Sequence, residues 1–166
     1  MTEKGYLLVE VSIAYLIMAL AITALVPAFI ISIKANKNTE KIQVAVGLSR
    51  ELLEEVRLRK WDENASYGIY TTLYSTSLST DTGETATNKT TFDDVDDFNG
   101  WFEDGAKDPM NGSLSQFSAY ERSVAVVYVT SANAVSAATT DWKRITVCTK
   151  TDGLSDVCLA TLVTNR

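Results

Sequence analysis

The chain has 166 residues, enough for one domain, and carries 21 acidic against 15 basic side chains for a net charge of −6. No basic stripe is present, so nucleic-acid binding is not expected as a main function. Histidine is absent, which excludes Ser-His-Asp and Cys-His catalysis and any His-ligated zinc.

A polar leader, Met1-Thr2-Glu3-Lys4-Gly5, opens the chain and an apolar run follows to residue 33. Residues 11–31 carry no charge, and Ser12, Tyr15 and Thr23 supply the polar groups. A helix of about 20 apolar residues crosses a ~30 Å hydrocarbon core. Apolar residues occupy every face, so one soluble packing face does not explain the run. A buried core helix is the alternative, but the remaining chain is too polar to wrap it on all sides. A secretory signal has a basic start, an apolar stretch of about 7–15 residues and a small-residue cleavage site after it. This run is longer, and Ala19-Leu20-Ala21 falls inside it.

The motif Gly5-Tyr6-Leu7-Leu8-Val9-Glu10, with the apolar run attached, resembles the processing site of type IV pilins and type II secretion pseudopilins. The resemblance implies that a prepilin peptidase cuts between Gly5 and Tyr6 and N-methylates Tyr6, with the apolar segment retained. A carboxylate at the depth of Glu10 costs about 2.5–3.5 kcal/mol and usually has a partner. No cation lies one turn away in this helix. The resemblance supplies an intermolecular one, the amine of Tyr6 on a neighbouring subunit, which would set axial register in a filament. The other reading is a Glu that reaches interfacial water. Pro27 removes a helix hydrogen bond and is expected to kink the helix; related pilins have a proline there. The family orientation puts the leader in the cytoplasm, yet Lys4 and Glu3 against Lys34 and Lys37 give it no positive-inside support.

Residues 34–41 are polar and mark the exit from the membrane. An amphipathic stripe of Ile42, Ala45, Val46, Leu52, Leu53 and Val56 then predicts continued helix to about Lys60, so that the whole element from Tyr6 would be ~80 Å long. Glu55 and Arg59 are spaced for an i,i+4 pair. Residues 44–57 include Leu52-Leu53-Glu54-Glu55-Val56-Arg57, which resembles minor pilins of the PilV and MshD type.

Residues 62–91 are rich in Ser, Thr, Gly, Asn and Tyr and read as a long loop with one short strand at residues 68–73. The densest acidic cluster follows: Phe92-Asp93-Asp94-Val95-Asp96-Asp97-Phe98-Asn99-Gly100-Trp101. Asp93, Asp94, Asp96 and Asp97 are weak candidates for calcium ligands, because their spacing does not fit an EF-hand loop. The simpler expectation is an acidic turn anchored by Val95, Phe98 and Trp101, and no metal or other cofactor is predicted. V-type minor pilins have a similar motif.

Residues 117–129, 142–150 and 157–164 read as strands, the last two flanking a turn that contains Asp152-Gly153. Centring that hairpin on Gly153 sets Cys148 opposite Cys158, Ile145 opposite Thr161 and Val147 opposite Leu159. In an exported head the two cysteines are expected to form a disulfide.

The expected architecture is α+β. It has a leader at 1–5, a transmembrane or filament-core helix at 6–33, an amphipathic helix at 34–61, and a loop with an antiparallel sheet at 62–166. The resemblance implies a minor pilin or pseudopilin in the bacterial inner membrane with an extracytoplasmic head, later part of a pilus or periplasmic pseudopilus. Its partners would be other pilin or pseudopilin subunits, prepilin peptidase, and the inner-membrane assembly platform with its ATPase. No residue is expected to be catalytic. The alternative is a membrane-anchored extracytoplasmic binding module that does not polymerise.

Overall fold

A computed structural model describes residues 3–65, 69–72, 75 and 77–165, with side chains from Leu8 onward. Helix α1 spans Glu3–Arg57, and four strands follow: β1 Phe102–Glu103, β2 Tyr120–Tyr128, β3 Trp142–Thr151 and β4 Val157–Thr164. All neighbouring strands pair antiparallel in the order β1-β2-β3-β4, which makes the expected α+β fold. Short 3-10 turns occur at Asp96–Phe98 and Ser115–Phe117. The chain divides into two compact units, Met1–Glu40 and Lys41–Arg166.

In the first unit the backbone is helical throughout its described residues, and the helix runs through Pro27 without interruption. It is long and apolar enough to cross a membrane, and none of its most apolar window is buried within the chain. Ser12 Oγ donates to the Leu8 carbonyl at 2.8 Å, and Thr23 Oγ1 donates to the carbonyls of Ala19 and Leu20 at 3.1 and 2.9 Å. Both hydroxyls are therefore satisfied by their own helix and need no water in a hydrocarbon layer.

In the second unit the helix ends at Arg57, one turn before the expected Lys60, which instead bridges to Asp94 in a parallel pairing. Its buried face is Ala45, Leu48, Ser49, Leu52, Leu53 and Val56. Ile42 and Val46, expected on that stripe, are exposed. Val46 is turned about 100° from Ala45, which takes it off the packed face. Leu52, Leu53 and Val56 pack on Val124, Val126, Ile145 and Val147 from the inner face of β2 and β3. Ser49 Oγ lies 2.7 Å from Thr149 Oγ1, so these two buried hydroxyls between helix and sheet satisfy each other.

The strands match the sequence pattern closely. Residue 117 closes a 3-10 turn, so β2 starts three residues later than expected. The β3–β4 register pairs Cys148 with Cys158, Ile145 with Thr161 and Val147 with Leu159. Gly153, at φ 78°, adopts the left-handed conformation that the hairpin turn requires. The described residues among 69–72 form no strand, and the rest of that expected strand lies outside the described residues. Strand β1, only two residues long, was not foreseen.

Candidate functional site

The Gly5–Glu10 motif falls at the start of the first unit. The backbone of Gly5 and Tyr6 is helical, and their side chains lie outside the described ones. Glu10 is exposed, and among the described residues its carboxylate has neither a hydrogen bond nor an ion pair. An unsatisfied carboxylate on an apolar helix needs a partner from another molecule or from interfacial water.

The acidic turn lies in the second unit, built into the core by its apolar residues. Phe92, Val95, Phe98 and Trp101 are buried in the main hydrophobic cluster. Phe92 meets Phe98 and Trp101 edge-on, with ring centroids 4.9 and 5.3 Å apart. Val95 sits between the two pairs of aspartates and the three aromatic anchors flank them, so burying these anchors carries the aspartates inward. The anchored turn expected from Val95, Phe98 and Trp101 is therefore present, with Phe92 added. Asn99 stitches the turn in place: its Nδ2 donates to the Leu78 carbonyl and its Oδ1 accepts from the Val126 N–H, each at 2.9 Å.

Within the turn, carboxylates cap backbone N–H groups. Asp97 Oδ2 accepts from Asp93 N–H and Asp94 N–H, both at 3.0 Å. Asp94 Oδ1 accepts from Asp96 N–H at 2.6 Å and from Asp97 N–H at 3.3 Å. The second oxygens of both side chains, Asp94 Oδ2 and Asp97 Oδ1, are buried without a hydrogen-bond partner. Loop residues add further carboxylates. Oxygens of Glu84, Asp93 and Asp97 lie within 4.8 Å of one another, as do oxygens of Glu63, Asp81 and Asp94. Among the four aspartates named from sequence, Asp93, Asp94 and Asp97 thus join these clusters. Asp96 does not; it turns to Lys143, with Oδ1 2.7 Å from Nζ.

The electrostatics reflect this crowding. Burial pushes Asp94 up to about 6, against partial relief from the N–H of Asp96 and the Lys143 charge. Burial pushes Asp96 up to about 7, with Lys143 opposing. Burial, and then the facing Glu84 carboxyl, push Asp97 up to about 8. Glu63 is raised by hydrogen-bonding contact with the Asp93 carboxyl. Lys60, 2.6 Å from Asp93 Oδ2, is raised by that bond.

Two buried cations bracket the inner face of the sheet. At one end Lys143 donates to the Trp61 carbonyl at 2.6 Å, pairs with Asp62 and Asp96 at 3.5 and 2.7 Å, and stands 3.8 Å over the Trp61 ring. At the other end Arg122 Nε donates to Glu103 Oε2 at 2.6 Å, and its terminal nitrogens donate to the carbonyls of Leu48 and Lys107. Glu103 also holds Lys89 Nζ at 3.1 Å and accepts from Trp101 Nε1 at 3.0 Å. Sequence reasoning missed both networks. Their signal was parity: Arg122 shares a strand face with Val124 and Val126, and Lys143 shares one with Ile145 and Val147. The foreseen Glu55–Arg59 pair is present at 3.9 Å, but Lys89 is closer to Glu55, at 2.9 Å.

Cys148 and Cys158 form a disulfide on the outer face of the β3–β4 hairpin, with Cα atoms 4.0 Å apart. None of these groups pairs a nucleophile with a base in the manner of a hydrolytic site. Comparison of the chain with protein-family models, curated proteins and solved structures finds no match.

Proposed function

We propose that this chain is a minor type IV pilin or pseudopilin, a structural subunit that works by assembly and carries no catalytic residue. In this reading its apolar helix stores it in the bacterial inner membrane with the head outside. Prepilin peptidase removes residues 1–5 and N-methylates Tyr6. An assembly platform and its ATPase then move the subunit into a pilus or periplasmic pseudopilus with other pilins. The observation that carries the reading is Glu10, a carboxylate without a partner among the described residues, set five residues past Gly5 at the head of a membrane-length apolar helix. The antiparallel α+β head with a stapled terminal hairpin supports it.

Mass spectrometry of the N-terminus from cells that also make the assembly machinery tests the proposal. The expected terminus is N-methylated Tyr6, with the chain recovered in sheared filaments. A chain that keeps Met1 through Gly5 in its working form overturns it and leaves a membrane-anchored binding module.

A further inference from the structure

Two groups of three carboxylates lie about the 81–84 and 93–97 turns: Glu84, Asp93 and Asp97 in one, and Glu63, Asp81 and Asp94 in the other. Lys60, on Asp93, is the cation paired to these groups among the described residues. Lys143 adds a more distant positive charge facing Asp94, and the carboxyl groups still outnumber these cations.

Crowding alone would not define a site, because exposed acidic groups repel and spread into water. Here the two inner members cannot spread. Asp94 and Asp97 are 1% and 3% exposed, held by backbone caps and by the aromatic anchors on either side. Each has one oxygen tied to backbone N–H groups and the other buried with no partner. Buried polar atoms are normally satisfied, and each exception calls for an occupant. Each inner carboxylate also contributes to one of the two carboxylate clusters, the Asp94 group opening through Glu63 and Asp81, which are exposed.

We propose that Glu84, Asp93 and Asp97 form a Ca²⁺-binding site with Asp97 as its fixed inner ligand, and that Glu63, Asp81 and Asp94 form a second with Asp94 in that role. Each donor set is all oxygen, which suits a hard cation, and the chain offers no histidine or free cysteine to favour zinc or copper. Calcium takes six to eight oxygens in flexible geometry, whereas magnesium demands a near-ideal octahedron and keeps its waters. Several mono- or bidentate carboxylates on two separate turns suit calcium. Bound at either site, the ion would join the 81–84 turn to the 93–97 turn and so order the long loop against the sheet. This proposal does not depend on polymerisation.

The test is calcium titration of the full chain in detergent micelles after chelator treatment, by calorimetry and by thermal unfolding. Saturable heat and a raised melting temperature are expected with CaCl₂, and not with MgCl₂ at the same concentration. Asp97→Asn keeps an oxygen for the Asp93 and Asp94 N–H groups but loses the charge, and should weaken calcium binding at its site by at least about tenfold. Glu84→Gln, at a half-exposed position, keeps an oxygen for the Asp81 N–H and should weaken it in the same direction. Glu54→Gln, on the exposed helix face, should bind calcium like the parent chain. No heat and no melting shift, or parental affinity in both Asp97→Asn and Glu84→Gln, overturns the proposal.

Discussion

Lys143 Nζ stands 2.7 Å from Asp96 Oδ1, and both side chains are sealed from solvent. The same ammonium lies over the Trp61 ring and donates to the Trp61 carbonyl. One β3 side chain thus ties the sheet to the segment just past the helix and to the acidic turn.

Lys143→Met should destabilise the second unit strongly. It keeps most of the side-chain volume but leaves Asp62 and Asp96 buried without their cation. Removing one partner of a buried pair costs about 3–5 kcal/mol. Chemical denaturation of the full chain in micelles measures the loss. Adding Asp96→Asn should recover part of it, since one stranded charge is then gone.

Glu103→Gln should act in the same direction at the opposite end of the sheet. Glutamine can still accept from Trp101 Nε1, yet Arg122 loses its buried countercharge. Glu54→Gln breaks the exposed pair with Arg57 and should shift stability by no more than about 0.5 kcal/mol. Equal losses in the two variants would show that the Arg122 network contributes no more than a surface pair.

In chelator, the second unit should lose stability as pH rises. Asp94, Asp96 and Asp97 go from an ordinary 3.8 to about 6, 7 and 8 in the folded chain, because burial penalises their charged forms. The folded state then binds more protons than the unfolded one between these limits. The resulting stabilisation is fully present below pH 3.8 and disappears as pH climbs through the folded values. Melting temperature should therefore be higher at about pH 5 than at about pH 8.5. A flat or rising trend would contradict the burial assigned to these three side chains.

Reduction should release a staple without unmaking the sheet. Cys148 and Cys158 close a loop ten residues apart in sequence. A loop of this length gives about 2–3 kcal/mol in the chain-entropy view. Intact mass after alkylation should change only when a reductant is added first. Cys148→Ser with Cys158→Ser should keep the β-sheet signal in circular dichroism and melt earlier.

The hairpin and the buried helix stripe were legible in the sequence because alternation and helical period act over short distances. Asp-Gly set the turn, and the register of every β3–β4 pair followed from it. Strand β1 was not legible, because Phe102 and Glu103 pair with Ser123 and Arg122 across the chain and carry no alternation of their own. The acidic turn was visible as a cluster of aspartates, but not its sorting. Asp96 goes to Lys143, while Asp93, Asp94 and Asp97 meet loop carboxylates that sequence reading left apart. That sorting depends on which side chains the aromatic anchors carry inward, a property of the packed core. Ile42 marks a similar limit on the helix, where hydrophobic spacing extends one turn past the buried Ala45, whereas Val46 is exposed because it faces away from the packed side.

If the chain assembles as proposed, Glu10→Val should separate entry into filaments from membrane storage. The substitution removes a carboxylate whose presence in the apolar run costs about 2.5–3.5 kcal/mol, so membrane retention should be equal or better. Cleavage after Gly5 should continue, since the Gly5–Tyr6 junction is untouched. What should be lost is the pairing with the Tyr6 amine of a neighbouring subunit, and with it entry into filaments. Quantifying the subunit in membrane and sheared-filament fractions reads both outcomes together. Parental amounts of the variant in the filament fraction would show that register comes from other contacts between subunits and not from this carboxylate.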